Sequence, residues 1–372
     1  PAPRRLGVLD PLKVVAEAGL PQRIVTGHGV LVAEDDFFLL VSPELRLESD
    51  WVNHGLSLGA RADIARYEEF GQNDVTAFEV DAAGFLDVAL ETQVFAAASF
   101  GRIVEGRDDV NNTGTNDLIA NWRNTQQGGL STAFGDFQFE VIGERVRNNY
   151  VDNGANQDDR DHTQWGARSR LGYEFQPGTV LFVEGGYNWR RYDDSFDDFG
   201  FNRDSAGWNV AGGFSYDVTG VLFAEVSAGY IKQTYEDPRF GSNSGFSIDG
   251  DLVWNPTDLL TVRGSAGTSI NETTPNGASG GRQIYGGIGI DYELAENLLL
   301  TTDGVYSAVS YDPATGFGER KDDIWQGSAG LIFLINEYFQ LRADYTFTTR
   351  DSSAPGQDFT DNTILLTLRS QL

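Results

Sequence analysis

Thr163-Gln164-Trp165-Gly166-Ala167-Arg168-Ser169-Arg170-Leu171-Gly172-Tyr173-Glu174-Phe175 is the stretch that decides the fold. Trp165, Ala167, Ser169, Leu171, Tyr173 and Phe175 share one parity, and Gln164, Gly166, Arg168, Arg170, Gly172 and Glu174 share the other. Alternate side chains point to opposite faces in an extended chain, so this period of two predicts a strand with one greasy and one charged face. The alternation returns from Leu181 to Arg190, where Leu181, Val183, Tyr187 and Trp189 oppose Glu184, Asn188 and Arg190. It returns again from Phe339 to Thr348, with Phe339, Leu341, Ala343, Tyr345 and Phe347 opposite Gln340, Arg342, Asp344 and Thr346.

Working outward, about eighteen such segments can be placed. They begin with Ile24 to Ala33, Phe37 to Glu48 and His54 to Tyr67, and end with Tyr338 to Thr349 and Asn362 to Leu372. Ile24 to Ala33 is the weakest of them, so sixteen is the alternative count. Most interior segments are longer than the 5 to 6 residues of an ordinary strand, and a tilted strand needs about 9 to 11 to cross a bilayer. Their connections alternate as well. Short turns such as Gly135-Asp136 and Gln176-Pro177-Gly178 take turns with long polar loops such as Glu105 to Ala120, Val151 to His162 and Asp193 to Asp204. Short turns on one rim and long loops on the other are the pattern of an outer-membrane barrel, with turns toward the periplasm and loops outside. The expected fold is therefore all-β: a single closed antiparallel transmembrane β-barrel over residues 24–372.

Composition agrees. The chain has 372 residues, 27 Lys and Arg against 55 Asp and Glu, a formal charge of −28, 44 Gly and no Cys. Nucleic-acid binding needs clustered cations, so no nucleic-acid partner is expected. Disulfides and thiolate metal sites are impossible without Cys. No apolar run approaches the roughly 18 to 20 residues of a transmembrane helix. The start at Pro1 and the absence of Met predict a mature exported protein whose signal peptide has been removed. A hairpin repeat is visible: Arg160-Asp161-His162-Thr163-Gln164-Trp165 restarts 43 residues later as Arg203-Asp204-Ser205-Ala206-Gly207-Trp208.

Trp122, Trp165, Trp208 and Trp325 fall just inside the long loops, and Tyr173, Phe175, Tyr216, Trp254, Tyr292 and Phe333 fall near the opposite strand ends. Two such belts are expected where aromatic rings meet the lipid headgroups. The other parity supplies candidate lumen-lining residues: Arg61, Arg168, Arg170, Glu184, Arg190, Glu225, Arg263, Arg342 and Asp344. Both signs occur, which suits either a water-filled pore or a lumen cross-linked by salt bridges. Arg168, Arg170, Arg190 and Arg342 would form a ladder for anions unless carboxylates such as Glu184 neutralise them.

Acid crowds the loops. Asp193, Asp194, Asp197 and Asp198 are candidate oxygen ligands for Ca²⁺ or Mg²⁺, although the spaced pattern of an EF-hand is missing. No other metal or cofactor is expected. His28, His54 and His162 are far apart and there is no Cys nucleophile, so no enzymatic activity is expected. Residues 1–23 differ from the rest. Leu12 to Leu20 reads as a short amphipathic helix closed by Pro21, and the segment is expected to be a disordered leader, a lumen plug or a periplasmic partner site.

Several stretches resemble the putative β-barrel porin 2 family: Val41 to Leu45, Asp50 to Leu58, Asn156 to Thr163, Leu171 to Phe175, Asp197 to Ser205 and Val253 to Thr257. The resemblance implies an outer-membrane barrel concerned with passage or anchoring of polysaccharide. Leu372 departs from the terminal aromatic common in such barrels, and residues 1–23 have no match. The expected function is a conduit for polysaccharide export with periplasmic partners. The alternatives are a general diffusion porin or a structural anchor for a surface polymer or protein complex. Outer-membrane lipid and lipopolysaccharide are the expected surroundings.

Overall fold

Residues 36–49, 51, 53–106, 118–151, 157–218, 220–272, 278–314 and 318–371 are described by the structure, a computed structural model, together with the backbone of 13–20. Eighteen strands follow one another. They are β1 (Lys13–Leu20), β2 (Phe38–Glu48), β3 (His54–Tyr67), β4 (Val75–Ala89), β5 (Thr92–Val104), β6 (Ala120–Phe134), β7 (Phe137–Val151), β8 (His162–Gln176) and β9 (Thr179–Tyr192). The second half comprises β10 (Ser205–Val218), β11 (Leu222–Tyr235), β12 (Asn243–Thr257), β13 (Leu260–Glu272), β14 (Ala278–Ala295), β15 (Leu298–Pro313), β16 (Arg320–Leu334), β17 (Phe339–Ser352) and β18 (Phe359–Gln371). From β2 to β18 each strand pairs antiparallel with the next, and β1 pairs with both β18 and β2, closing the ring. Closure satisfies every edge, which the hydrocarbon of a bilayer demands.

The segment read as an amphipathic helix is instead β1. Eight residues are too few to hold an isolated helix, and the facing edges of β2 and β18 offer backbone partners along the whole segment. Edge satisfaction outweighs local propensity here. The expected first strand, Ile24 to Ala33, lies outside the described residues, as do residues 1–12 of the expected plug or partner segment.

Turns on the inner rim are tight because their residues permit it. Gly135, Gly178 and Gly220 carry positive φ, and a Cβ on Gly178 would strike the Asp217 carbonyl. Where Pro256 cannot donate, β12 bulges between Trp254 and Thr257. Higher up, β12 and β13 part. Their ladder ends at Asp249 opposite Gly267; residues 243–248 pair only with β11, and residues 268–272 only with β14. A single bond from Ile248 N to Thr268 Oγ1 (3.2 Å) crosses the seam, and the Arg282 guanidinium fills the space beside Gly245. Phe246, on the outer wall at this seam, is 82% exposed.

Leu171, Tyr173, Leu181, Val183, Leu341 and Leu368 are among the exposed apolar residues of the outer wall, as the alternation predicts. The charged parity faces the lumen.

Candidate functional site

The lumen has two unlike halves. In the half next to the short turns, charged side chains stand in open space. So do those at mid-strand: Arg61 and Arg168 are 61% and 57% exposed, and their carboxylate partners, Glu79 at 3.5 Å and Glu140 at 3.9 Å, hold them loosely. Arg263 forks onto Asp291 (3.0 Å for both contacts) and reaches Asp303 at 3.2 Å. Arg342 donates to Asp344 at 2.6 Å. Arg263, Asp291, Asp303 and Arg342 line a wall recess of about 580 Å³ together with Asp258, Thr261 and Glu293.

Arg170 faces Glu184 in register, yet its guanidinium forks onto Glu225 of β11 at 2.7 and 2.8 Å. The reach across two intervening strands has a local cause. Gly213 of β10 leaves room for the Phe182 ring, and the guanidinium lies over that ring, 3.4 Å from its centroid. Arg190 binds the Gln164 amide oxygen at 2.6 Å. Arg168, Arg170, Arg190 and Arg342 thus each face an acceptor, and they make no free anion ladder. Paired half-exposed ions add little stability each; what they leave is a wall of hydrogen-bonding groups in which carboxylates outnumber guanidinium groups around the recess.

The half next to the long loops is more tightly packed among the described residues. Inner-wall residues there are buried: Asn121, Asn148, Ser205, Gln233, Val309 and Asp322. Loops from many parts of the ring meet above them. Arg203, in the 193–204 loop, donates from Nε to Asp197 at 2.6 Å and from Nη1 to the Ala278 carbonyl at 2.8 Å. This pair is almost wholly buried, with side-chain exposures of 4% and 1%. Asp197 also accepts from the backbone N–H groups of Phe199 and Phe201, which folds the loop back on itself. Phe201 stacks on Phe240 of the 236–242 loop at 4.8 Å between ring centroids, and Tyr235 and Ala314 complete a buried cluster. On the adjoining side Arg160 forks onto Glu105 at 2.7 and 3.1 Å, over the Tyr150 ring. Asp322, fully buried, accepts from Arg320 at 2.6 Å and from Ser352 Oγ at 2.6 Å. Buried charges survive only when paired and hydrogen-bonded; the first two clusters tie the described loop segments into a mat at the mouth, and the third joins β16 to β17.

His162 sits beneath the mat. The Arg160 carbonyl can only accept, so Nδ1 carries the proton and donates at 2.7 Å, leaving Nε2 to accept from Asn148 at 3.1 Å. Within the mat, burial pushes the Asp159 carboxyl up to about 6, with Asp198 and Asp197 adding to the rise and Arg203 opposing it. Hydrogen bonds from Arg239 hold Asp237 well below the usual carboxylate range, and Arg147 likewise lowers Asp193.

The acidic loop residues do not gather as metal ligands. Asp193 is bound by Arg147 and Asp197 by Arg203, and among the described residues no three His, Asp or Glu side chains converge on a common point. Asp194 is not drawn into such a group either. The spacing Gly55-Leu56-Ser57-Leu58-Gly59 matches a hydrolase nucleophile elbow, but it lies inside the regular strand β3 and has no strand-to-helix turn. The staples Arg160 and Arg203 were not among the expected site residues. Their signal was the 43-residue repeat, in which both open the repeated Arg-Asp pair.

A closed antiparallel ring with an apolar outer wall, aromatic belts and a charged lumen defines an outer-membrane, porin-like β-barrel channel. The chain belongs to the family described as Putative beta-barrel porin 2, whose model matches residues 27–372. Among solved structures it is similar to Pseudomonas aeruginosa OccK2 (OpdF), solved in complex with glucuronate, at a TM-score of 0.51 and 11% identity, over 97% of this chain and 98% of that one. It is also similar to the siderophore receptor PirA from Acinetobacter baumannii, at a TM-score of 0.50 and 7% identity, over 98% and 81%. At these identities the likeness is one of fold. No curated protein matches the chain.

Proposed function

We propose that this barrel is a conduit for an exported polysaccharide, loaded from the periplasm and gated at its outer mouth by its own loops. The observation that carries this reading is the asymmetry of the lumen: exposed charges at mid-strand and on the inner half, and a mat stapled by Arg203 and Arg160 on the outer half. A general diffusion porin works through a standing aqueous passage, whereas an exporter must stay shut between deliveries. Paired ions along the inner wall also suit a hydroxyl-rich chain, offering it both donors and acceptors.

Planar-bilayer recording tests the reading. The full-length chain should conduct poorly at rest, and a variant with released loops should conduct strongly. Neutral dextran added on the short-turn side should then interrupt that current. A large steady conductance of the unmodified chain, with permeation of small solutes in liposome swelling, would favour the diffusion-porin reading instead.

A further inference from the structure

The lipid-facing cations of the described strands all lie toward the long-loop rim; the outer wall near the short turns carries none. Those closest to the loops already have partners within the chain: Arg66 has Asp74, Arg147 has Asp193, Arg191 has Asp204 and Glu236, Lys321 has Glu319, Arg102 beside Trp122 donates to the Thr76 carbonyl, and Arg282 lies against Gly245 at the seam. Two that sit deeper do not. Arg145 stands between Gln126 and Trp165 in the outer row of β6, β7 and β8. Lys232 stands between Trp208 and Ser244 in the outer row of β10, β11 and β12. Among the described residues no carboxylate forms an ion pair with either. Their tryptophans are matching residues of the 43-residue repeat, Arg145 flanking Trp165 from the preceding strand and Lys232 flanking Trp208 from the following one.

In a chain with twice as many acids as bases, two cations without carboxylates on the bilayer wall need an external counter-charge. An unpaired cation facing hydrocarbon is costly in a depth-dependent way and is tolerated near the interface. Tryptophan marks that interface, and each of these cations is the direct cross-strand neighbour of one. An arginine fork matches the oxygens of a phosphate, and lysine serves as a compact point charge. We propose that Arg145 and Lys232 are the anchors of two docking sites for the phosphate-bearing headgroup of an outer-leaflet glycolipid. Gln126 and Ser244 supply neutral hydrogen bonds beside them, and Trp165 and Trp208 rest against the sugar. The sites are on the outside of the barrel, independent of whatever passes through it.

Native mass spectrometry of the full-length barrel in detergent tests this, with diphosphorylated lipid A and its dephosphorylated form as probes. The unmodified chain should retain the phosphorylated lipid about tenfold better, since each charge-assisted contact is worth about that much. Arg145→Leu and Lys232→Leu should each reduce that preference, the double variant should abolish it, and Arg145→Lys should keep most of it. Leucine suits a lipid-facing position, and heat-modifiable gel mobility checks that every variant is folded. Equal retention of both lipids, or an unchanged preference in the double variant, would overturn the proposal. Displacement of the lipid by inorganic phosphate alone would indicate a free-anion site and overturn it too. So would an oligomer of this chain that Arg145→Leu dissociates, because a second copy would then occupy the patch.

Discussion

Replacing Arg203 by Ala should open the outer mouth. The substitution removes the partner of Asp197, whose carboxylate is 1% exposed, and strips a donor from the Ala278 carbonyl. Breaking a buried ion pair by removing one member costs about 3 to 5 kcal/mol, because the other charge stays buried and unpaired. Since each 1.4 kcal/mol is a factor of ten, the balance between docked and released loops should shift by roughly two to three and a half orders of magnitude. Arg239 provides the control. It also binds an aspartate, Asp237, which is 5% exposed but is covered by a side chain that is itself 48% exposed, so removing Arg239 uncovers the carboxylate to water. Single-channel open probability in planar bilayers is the assay, with heat-modifiable gel mobility confirming an intact barrel. Arg203→Ala should gate open frequently and Arg239→Ala should resemble the parent. The double variant Arg203→Ala/Asp197→Ala should lose less than the sum of its two single variants. Equal conductance of parent and Arg203→Ala, or an equal effect of Arg239→Ala, would refute the stapled-mat reasoning.

Other consequences can be measured separately. Asp159 binds its proton more tightly when the loops are docked, because its carboxyl there is pushed up to about 6 from an ordinary value near 4. Its contribution to docking is therefore full below about pH 4 and lost as the pH rises through about 6. Open probability should accordingly be lower at pH 5 than at pH 7.5, and Asp159→Asn should flatten the difference. Asp193, shifted the other way, loses its contribution only as the pH falls through the acid range, outside that window. Gly213→Val would drive a side chain into Phe182 and the Val226 carbonyl and disturb the Arg170–Glu225 fork. Overpacking of this kind costs about 1 to 3 kcal/mol, readable as a lowered midpoint of the heat-modifiable transition. The seam between β12 and β13 can be probed by disulfide trapping, since the chain has no Cys. A cysteine pair at Ser247 and Ser269 should cross-link poorly, whereas one at the ladder pair Ser99 and Thr125 should cross-link readily. Equal yields would mean that the seam is zipped.

Much of this architecture is legible from residue order because a period of two is a local signal. His54–Tyr67 begins and ends where the alternation does, and the Leu181 to Arg190 alternation lies within Thr179–Tyr192. Lys13–Leu20 was misread for a physical reason. Its pairing with β2 and β18 joins residues more than 350 positions apart in the case of Lys13 and Gln371, and nothing local in eight residues announces that. The lumen shows the same divide. Which residues face inward follows from parity, but Arg170 choosing Glu225 over Glu184 depends on space left by Gly213, a strand away in either direction. The loop mat was hidden for a related reason: Arg160–Glu105 and Arg203–Ala278 are contacts between distant loops. A dense acidic loop reads as a solvated face or a metal site until the arginines that fold into it are located.

The central claim is that water reaches the lumen from the periplasmic side and not from outside. Site-specific labelling tests it most directly, with a single cysteine at Arg263, three residues from the short-turn end of β13 and 44% exposed. A bulky membrane-impermeant maleimide should leave this residue unmodified in intact cells and modify it rapidly once the periplasm is accessible. Rapid modification in intact cells, by a barrel of normal gel mobility, would contradict the account.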